Sequence, residues 1–193
     1  MLGLKLPTDP RWVDLAEKSL EEILTDHAYC EQKAATSCIS LIQMNPEKMD
    51  MVEELAPIVT EEWGHFQMVI AELKKRGLNL GRQRKDEYVN ALMEFQRKGG
   101  NQTDRLVEKL LTCALIEARS CERFRLLSIH LKEKGLKRFY HTFMVSEAGH
   151  YKTFINLAMK YGNPSQVKQR WKEYLNFEAT VMENMDLRGD RMH

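Results

Sequence analysis

The sequence is poor in residues that interrupt helices and has no long apolar run. Its 193 residues include only 10 glycines and five prolines, mostly where one helical pattern ends and the next begins. No segment alternates apolar and polar residues as a half-exposed strand does. These features predict an all-α protein. The mean hydropathy is −0.49, and the first residues lack the apolar stretch of a signal peptide, so we expect a cytoplasmic protein that uses no membrane.

Two further absences limit the cofactors that the protein can bind and the chemistry of its cysteines. The chain has no glycine-rich dinucleotide fingerprint and no phosphate-binding loop, so no flavin, nicotinamide or nucleotide site is evident. If the protein reduces oxygen, its electrons must therefore come from a separate reductase. No two cysteines form a Cys-x-x-Cys pair, and all lie inside helical patterns, which predicts reduced thiols rather than disulfides. The four cysteines are Cys30, Cys38, Cys113 and Cys121.

The most informative feature is a pattern of glutamate and histidine that occurs twice. Each copy has a single Glu followed, about thirty residues later, by Glu-x-x-His, and the second copy repeats the first at an offset of 85 or 86 residues. Residues i and i+3 of a helix share one face, so each Glu-x-x-His can bind the same metal ion. The six residues are Glu31, Glu62, His65, Glu117, Glu147 and His150.

This set matches the ligands of a dinuclear metal site inside a four-helix bundle. Four carboxylates neutralise two divalent cations, whereas without metal the same buried carboxylates would be costly to ionise together. Carboxylate and imidazole ligands suit iron or manganese better than the thiolate-rich sets of structural zinc. One Glu-x-x-His could be mere surface charge, but the matched register of two copies favours a metal site. The pattern therefore predicts oxygen chemistry at paired metals.

Local signals predict two helical hairpins. In the first, a helix begins at Asp9-Pro10 and runs, with a break near Asp26-His27, to Met44. Asn45-Pro46 forms the turn into a second long helix, which Gly77 ends. Glu31 precedes this turn by nearly as many positions as Glu62 follows it. An antiparallel pair therefore brings these two side chains to a similar height.

A crossover and a second hairpin follow. The crossover contains a short helix from about Asp86 to Lys98, and Thr103 is expected to cap the helix that carries Glu117. A turn at Lys132 to Gly135 leads into the helix of Glu147 and His150. Gly162-Asn163-Pro164 ends that helix, and a last amphipathic helix runs from Ser165 to about Met185. We predict a ferritin-like four-helix bundle with additional helices, as a single domain over residues 1–193.

Basic residues are clustered along the chain. The formal net charge is +1, but if four glutamates bind metal, 24 acidic groups remain against 29 basic ones and the outer surface approaches +5. A charge run is usually only a solvated helix face. Several runs in one small protein nevertheless favour a polyanionic partner. The densest runs are Lys74 to Arg76, Arg82 to Lys85, Lys132 to Arg138 and Lys168 to Lys172.

Stretches around the six residues resemble one bacterial family, the tRNA-(2-methylthio-N6-isopentenyladenosine) hydroxylases. The resemblance lies in Asp9-Pro10-Arg11-Trp12, LTDHAYCEQKAA, EEWGHF, LIEARSCERFRLL and SEAGHY, and covers nearly the whole chain. It implies a non-haem di-iron monooxygenase that uses O2 to hydroxylate the isopentenyl group of an adenosine beside the anticodon. It also implies that the six residues bind two iron ions, with no catalytic residue beyond these ligands.

The resemblance identifies no residue that contacts tRNA. From charge alone, we expect Arg82, Arg84 and Lys85 to bind it, because the crossover backbone can adapt to a phosphate chain. The partners expected are therefore tRNA and an external electron-donor reductase. Three alternatives stay open: a ferritin- or rubrerythrin-like protein that handles iron or peroxide, a quinone hydroxylase, and a non-catalytic RNA-binding module. The low hydropathy argues against the membrane-docking surface of a quinone hydroxylase.

Overall fold

The computed structural model describes residues 1–193, which form helices, the segments that connect them and a short non-helical segment at each end. The predicted all-α class is confirmed, and none of the helices is both long and apolar enough to span a membrane. The seven helices are α1 (Arg11–Lys18), α2 (Leu20–Met44), α3 (Met49–Lys75), α4 (Glu87–Phe95), α5 (Gln102–His130), α6 (Lys134–Tyr161) and α7 (Pro164–Asn184).

The chain forms two compact units, each built on one helical hairpin. Residues 14–85 and 188–192 form the α2–α3 unit, and residues 1–13, 86–187 and 193 form the α5–α6 unit. In the first unit α2 packs against α3. In the second, α5 packs against α6, and the shorter helices α4 and α7 pack around this pair. These are the two hairpins that the sequence predicts.

The end of α3 and the start of α7 follow the local signals in the sequence. The backbone N–H of Leu78 donates to the carbonyl oxygen of Leu73 at 3.0 Å, which closes the end of α3. This closure needs a left-handed residue at Gly77, whose φ is +68°. At the start of α7, the Asn163 side chain accepts hydrogen bonds from the N–H groups of Ser165 and Gln166. Both boundaries confirm the predictions.

The predicted break near Asp26-His27 is wrong, because the first helix is interrupted at Ser19 instead. Asp26 and His27 lie inside α2 and are buried. The Asp26 carboxylate accepts a hydrogen bond from the Met192 backbone N–H at 2.8 Å and pairs with Arg191 at 3.2 Å. Residues from the end of the chain thus satisfy Asp26, so this polar side chain does not interrupt the helix.

The cap predicted for the helix of Glu117 is also displaced. Asn101, not Thr103, caps the start of α5, and its side chain accepts a hydrogen bond from the Asp104 N–H at 2.9 Å. The Asp104 carboxylate in turn accepts from the Asn101 N–H at 2.9 Å. This reciprocal pair satisfies two free N–H groups at once, which a threonine inside the first turn cannot do.

A buried ion pair fastens α7 to α5 in the α5–α6 unit. Arg170 donates to both oxygens of Glu108, from Nε at 2.8 Å and from Nη2 at 2.9 Å, and the Tyr174 hydroxyl donates to Oε2 at 2.7 Å. Burial raises the pKa of Glu108, but the hydrogen bonds from Arg170 and Tyr174 outweigh it and hold the pKa below its usual value. The carboxylate therefore stays ionised at neutral pH.

Candidate metal centre

The α2–α3 unit brings together three of the predicted ligands. Glu31 lies on α2, and Glu62 and His65 lie one turn apart on α3; all three are buried. The Nδ1 atom of His65 lies 3.2 Å from Glu62 Oε2 and 3.3 Å from Glu31 Oε2. Each residue offers one ligand atom within 4.8 Å of the others. We call these three residues the first half-site.

The α5–α6 unit repeats the arrangement. Glu117 lies on α5, Glu147 and His150 lie on α6, and all three are buried. Their ligand atoms also lie within 4.8 Å of one another, and His150 Nδ1 is 3.5 Å from Glu147 Oε2. Although the Glu147 side chain is only 2% exposed, this oxygen accepts no hydrogen bond. We call these three residues the second half-site.

Hairpin geometry explains why both half-sites form. In an antiparallel helix pair, side chains at equal distances from the turn lie side by side. Glu117 precedes the end of α5 by nearly as many positions as Glu147 follows the start of α6. The first hairpin has nearly the same layout around Asn45. The ligand pattern therefore repeats at a constant offset because the ligands lie at the same distance from the turn in both hairpins.

The donor set in each half-site fits a divalent cation of the iron or manganese type. Each half-site offers two carboxylates and one imidazole, all buried, and a buried carboxylate without a compensating partner is costly. The Glu147 oxygen that accepts no hydrogen bond is such a group. Neither Cys113 nor Cys121 belongs to the groups whose ligand atoms lie within 4.8 Å of one another. Burial also raises the pKa of each of these thiols to about 12. None of the four cysteines forms a disulfide, as predicted.

One histidine beside the first half-site escaped the sequence analysis. His27 is fully buried on α2, and its Nε2 atom lies 2.7 Å from Glu31 Oε1. The only signal in the sequence is the four-residue spacing, which places both side chains on one helix face. That spacing is common by chance, and the Asp26-His27 pair suggested a helix break instead.

The crossover residues expected to bind tRNA have different environments. Arg82 and Lys85 are exposed. Arg84 is engaged within the α2–α3 unit, where its Nη1 lies 2.6 Å from Asp190 Oδ2 and its Nη2 donates to the Asp190 carbonyl oxygen at 2.7 Å. Arg84 therefore holds residues 188–192 against the crossover, and only the other two cations are fully available to a partner.

Comparison with known proteins identifies the family. The model of the tRNA-(MS2IO6A)-hydroxylase (MiaE) family matches residues 2–193. The chain belongs to this family. A Pseudomonas putida protein named tRNA 2-(methylsulfanyl)-N(6)-isopentenyladenosine(37) hydroxylase is 37% identical over 85% of the chain and 78% of its own length. A Salmonella typhimurium protein of the same name is 25% identical over 98% of the chain and 87% of its own length.

A solved structure supports the same architecture. The protein titled "Protein 43 with aldehyde deformylating oxygenase activity from Synechococcus" superposes with a TM-score of 0.92 and is 32% identical. The match covers 98% of the chain and 94% of that protein. The fold is thus the ferritin-like helical bundle expected from the sequence, and the protein is an enzyme of a hydroxylase family.

Proposed function

We propose that this protein hydroxylates the isopentenyl group of 2-methylthio-N6-isopentenyladenosine next to the anticodon of tRNA. The observation that carries the proposal is the family match over residues 2–193 in a chain that keeps both buried Glu and His half-sites. The reaction would take O2 as co-substrate and electrons from an external reductase. Because its substrate would be tRNA, we place the enzyme in the cytoplasm.

The six half-site residues are proposed to hold two iron ions as one dinuclear centre. Three arguments support this assignment: the donor set suits iron, both half-sites are buried, and the ligand pattern is that of ferritin-like di-iron proteins. A bound iron pair would supply the activation of O2 that no protein side chain can provide. The chain itself would contribute Glu31, Glu62, Glu117 and Glu147 as charge-neutralising ligands and His65 and His150 as neutral ones.

Burial of the half-sites would serve the reaction as well as the metal. Each of the six residues is at most 5% exposed, so bulk water has little access to them. A site that excludes water protects reactive intermediates from side reactions. It also matches the substrate, since the isopentenyl group is apolar whereas the rest of the tRNA is charged and remains outside.

Labelled oxygen tests the proposed reaction directly. With a chemical reductant and dioxygen labelled with oxygen-18, the iron-loaded protein is expected to add one labelled oxygen atom to the prenylated adenosine of tRNA. The measurement is mass spectrometry of the digested nucleosides, with unprenylated tRNA as the control substrate. Label that comes from water, or an unchanged prenylated nucleoside, would contradict the proposal.

The structural neighbour supplies a second candidate reaction. Its title names aldehyde deformylating oxygenase activity, and the two chains share 32% identity at a TM-score of 0.92. The same assay should therefore include a fatty aldehyde, a quinol and hydrogen peroxide as separate substrates. Turnover of the aldehyde without any change in tRNA would favour deformylation.

The other two substrates test the remaining alternatives. Turnover of quinol alone would favour a quinone hydroxylase, and turnover of peroxide alone would favour a rubrerythrin-like protein. Modification of tRNA remains the expected outcome because the family model and both curated relatives are tRNA hydroxylases.

We further propose that the crossover cluster of Arg82, Arg84 and Lys85 contacts tRNA phosphates. Since Arg84 also holds Asp190, the test replaces only Arg82 and Lys85 with glutamine. This double variant is expected to bind tRNA more weakly, with a salt dependence reduced by about two in the slope of log K against log salt. Its iron content should equal that of the wild type.

A double variant of Lys168 and Lys172 is the matched control for the crossover, because both lysines are exposed on α7 and the charge change is the same. The measurement is a tRNA-binding titration at several salt concentrations. If the slope of log K against log salt is unchanged in the crossover variant and reduced in the α7 variant, the tRNA contacts lie on α7 instead.

A further inference from the structure

We propose that His27 is a positioning residue that fixes the Glu31 carboxylate and makes the two half-sites unequal in metal affinity. The inference rests on the proposed metal centre and concerns a residue that belongs to neither half-site. His27 is fully buried on α2, one turn before Glu31. Its side chain is therefore available to Glu31 but not to bulk solvent.

The two oxygens of Glu31 have different neighbours. Oε1 lies 2.7 Å from His27 Nε2, whereas Oε2 lies 3.3 Å from Nδ1 of His65. An ionised carboxylate cannot donate a proton, so a contact this short is favourable only when the His27 Nε2 atom carries one. Because His27 belongs to neither half-site, this short contact engages Oε1 outside the first half-site and leaves Oε2 beside His65. His27 would thereby limit how the Glu31 carboxylate can turn towards a bound metal ion.

The α2 turn that carries His27 is itself held in place. Asp26, the preceding residue, accepts a hydrogen bond from the Met192 N–H and pairs with Arg191. Asp190 of the same segment binds Arg84, which also donates to the Glu22 carbonyl oxygen at 3.3 Å. Residues 188–192 therefore clamp α2 beside His27, as expected for a side chain whose position matters to its neighbour.

The second half-site has no histidine at the corresponding position. The offset that relates Glu31 to Glu117 also relates His27 to Cys113. A thiol is a much weaker hydrogen-bond donor than an imidazole N–H. The duplicated ligand pattern is thus symmetric in its six ligands but asymmetric in the residue one turn before each single Glu.

Metal titration of the metal-free protein tests this asymmetry. Wild-type protein titrated anaerobically with ferrous ion should bind two ions in two steps of different affinity. His27→Leu should weaken one step by about 10- to 100-fold, the usual cost of losing a partner that orients a ligand, and leave the other unchanged. His27→Gln should recover most of the loss, because its amide N–H can donate to Glu31. Cys113→Ala, the matched variant in the second half-site, should change neither step.

A measurement on the wild type makes the test independent of whether His27→Leu folds. Nuclear magnetic resonance of the metal-free protein should show a slowly exchanging imidazole N–H of His27, absent in His27→Gln. The inference is overturned if this signal is missing, if His27→Leu leaves both steps unchanged or weakens them equally, or if His27→Gln recovers nothing. A wild type that binds no pair of ferrous ions would instead overturn the proposed metal centre.

Discussion

Replacing His150 with alanine is expected to remove metal and activity together. His150 is the only imidazole of the second half-site, and its loss leaves Glu117 and Glu147 to hold a cation by carboxylates alone. Iron content should fall from about two ions per chain, the number expected for this ligand set, to about one or fewer. Activity should fall by more than about 100-fold, since even outer partners of metal ligands are worth about 10- to 100-fold. Glu62→Ala should behave similarly in the first half-site.

The control for this variant is His141→Ala. His141 lies on the same helix as His150 but is exposed, so its substitution should leave iron content and activity at wild-type values. Iron is measured by elemental analysis of the purified protein, and activity by mass spectrometry of tRNA nucleosides. If His150→Ala and Glu62→Ala both keep about two iron ions per chain, the six-ligand assignment is wrong.

Features encoded by nearby residues were predictable from the sequence. Asn45-Pro46, Gly77 and Gly162-Asn163-Pro164 mark helix ends through local backbone geometry, and the structure has its boundaries there. The half-sites follow from spacing within helices, because Glu-x-x-His places both side chains on one face. A repeated pattern in two hairpins of equal layout is thus visible without any knowledge of long-range contacts.

Features that depend on distant residues were not predictable. Asp26 is satisfied by Arg191 and Met192, more than 160 positions along the chain. Arg84 was assigned to tRNA from a run of basic residues, although a carboxylate 106 positions away also binds it. A count of charges treats every charged residue as exposed, whereas Arg119 and Glu178 are fully buried. Only the tertiary structure shows which charged side chains are buried or paired within the protein.

Arg119→Met is expected to lower the free energy of unfolding by about 3–5 kcal/mol, the usual cost of removing one partner from a buried ionic group. Arg119 donates to Glu178 Oε1 from Nε at 2.8 Å and from Nη2 at 2.5 Å, and to Glu122 Oε2 from Nη1 at 3.0 Å. Its Nη2 also donates to the Leu6 carbonyl oxygen at 2.9 Å. One guanidinium thus joins the N-terminal segment, α5 and α7, and methionine of similar length can replace none of these bonds.

The loss of unfolding free energy in Arg119→Met should depend on pH, and the direction of this dependence identifies Glu178 as the group responsible. Burial raises the pKa of Glu178 above its usual value even though Arg119 opposes the shift. A carboxyl group whose pKa is raised by folding destabilises the folded state at neutral pH and ceases to do so as pH falls and the group is protonated. Without Arg119, nothing opposes the cost of burying the ionised Glu178 carboxylate. The difference in unfolding free energy between wild type and Arg119→Met should therefore shrink in acid, where Glu178 is protonated. Arg119→Met combined with Glu178→Gln should recover part of it at neutral pH.

Urea unfolding at several pH values measures this prediction, and Arg97→Met is the matched control. The Arg97 side chain is 64% exposed and forms one ion pair, with Glu173 at 2.9 Å. An exposed pair contributes at most about 1 kcal/mol, so the control should unfold near the wild-type midpoint. A loss in Arg119→Met no larger than that of Arg97→Met would mean that the buried cluster is replaceable by apolar packing. A deficit that stays constant in acid would mean that Glu178 does not carry the uncompensated charge.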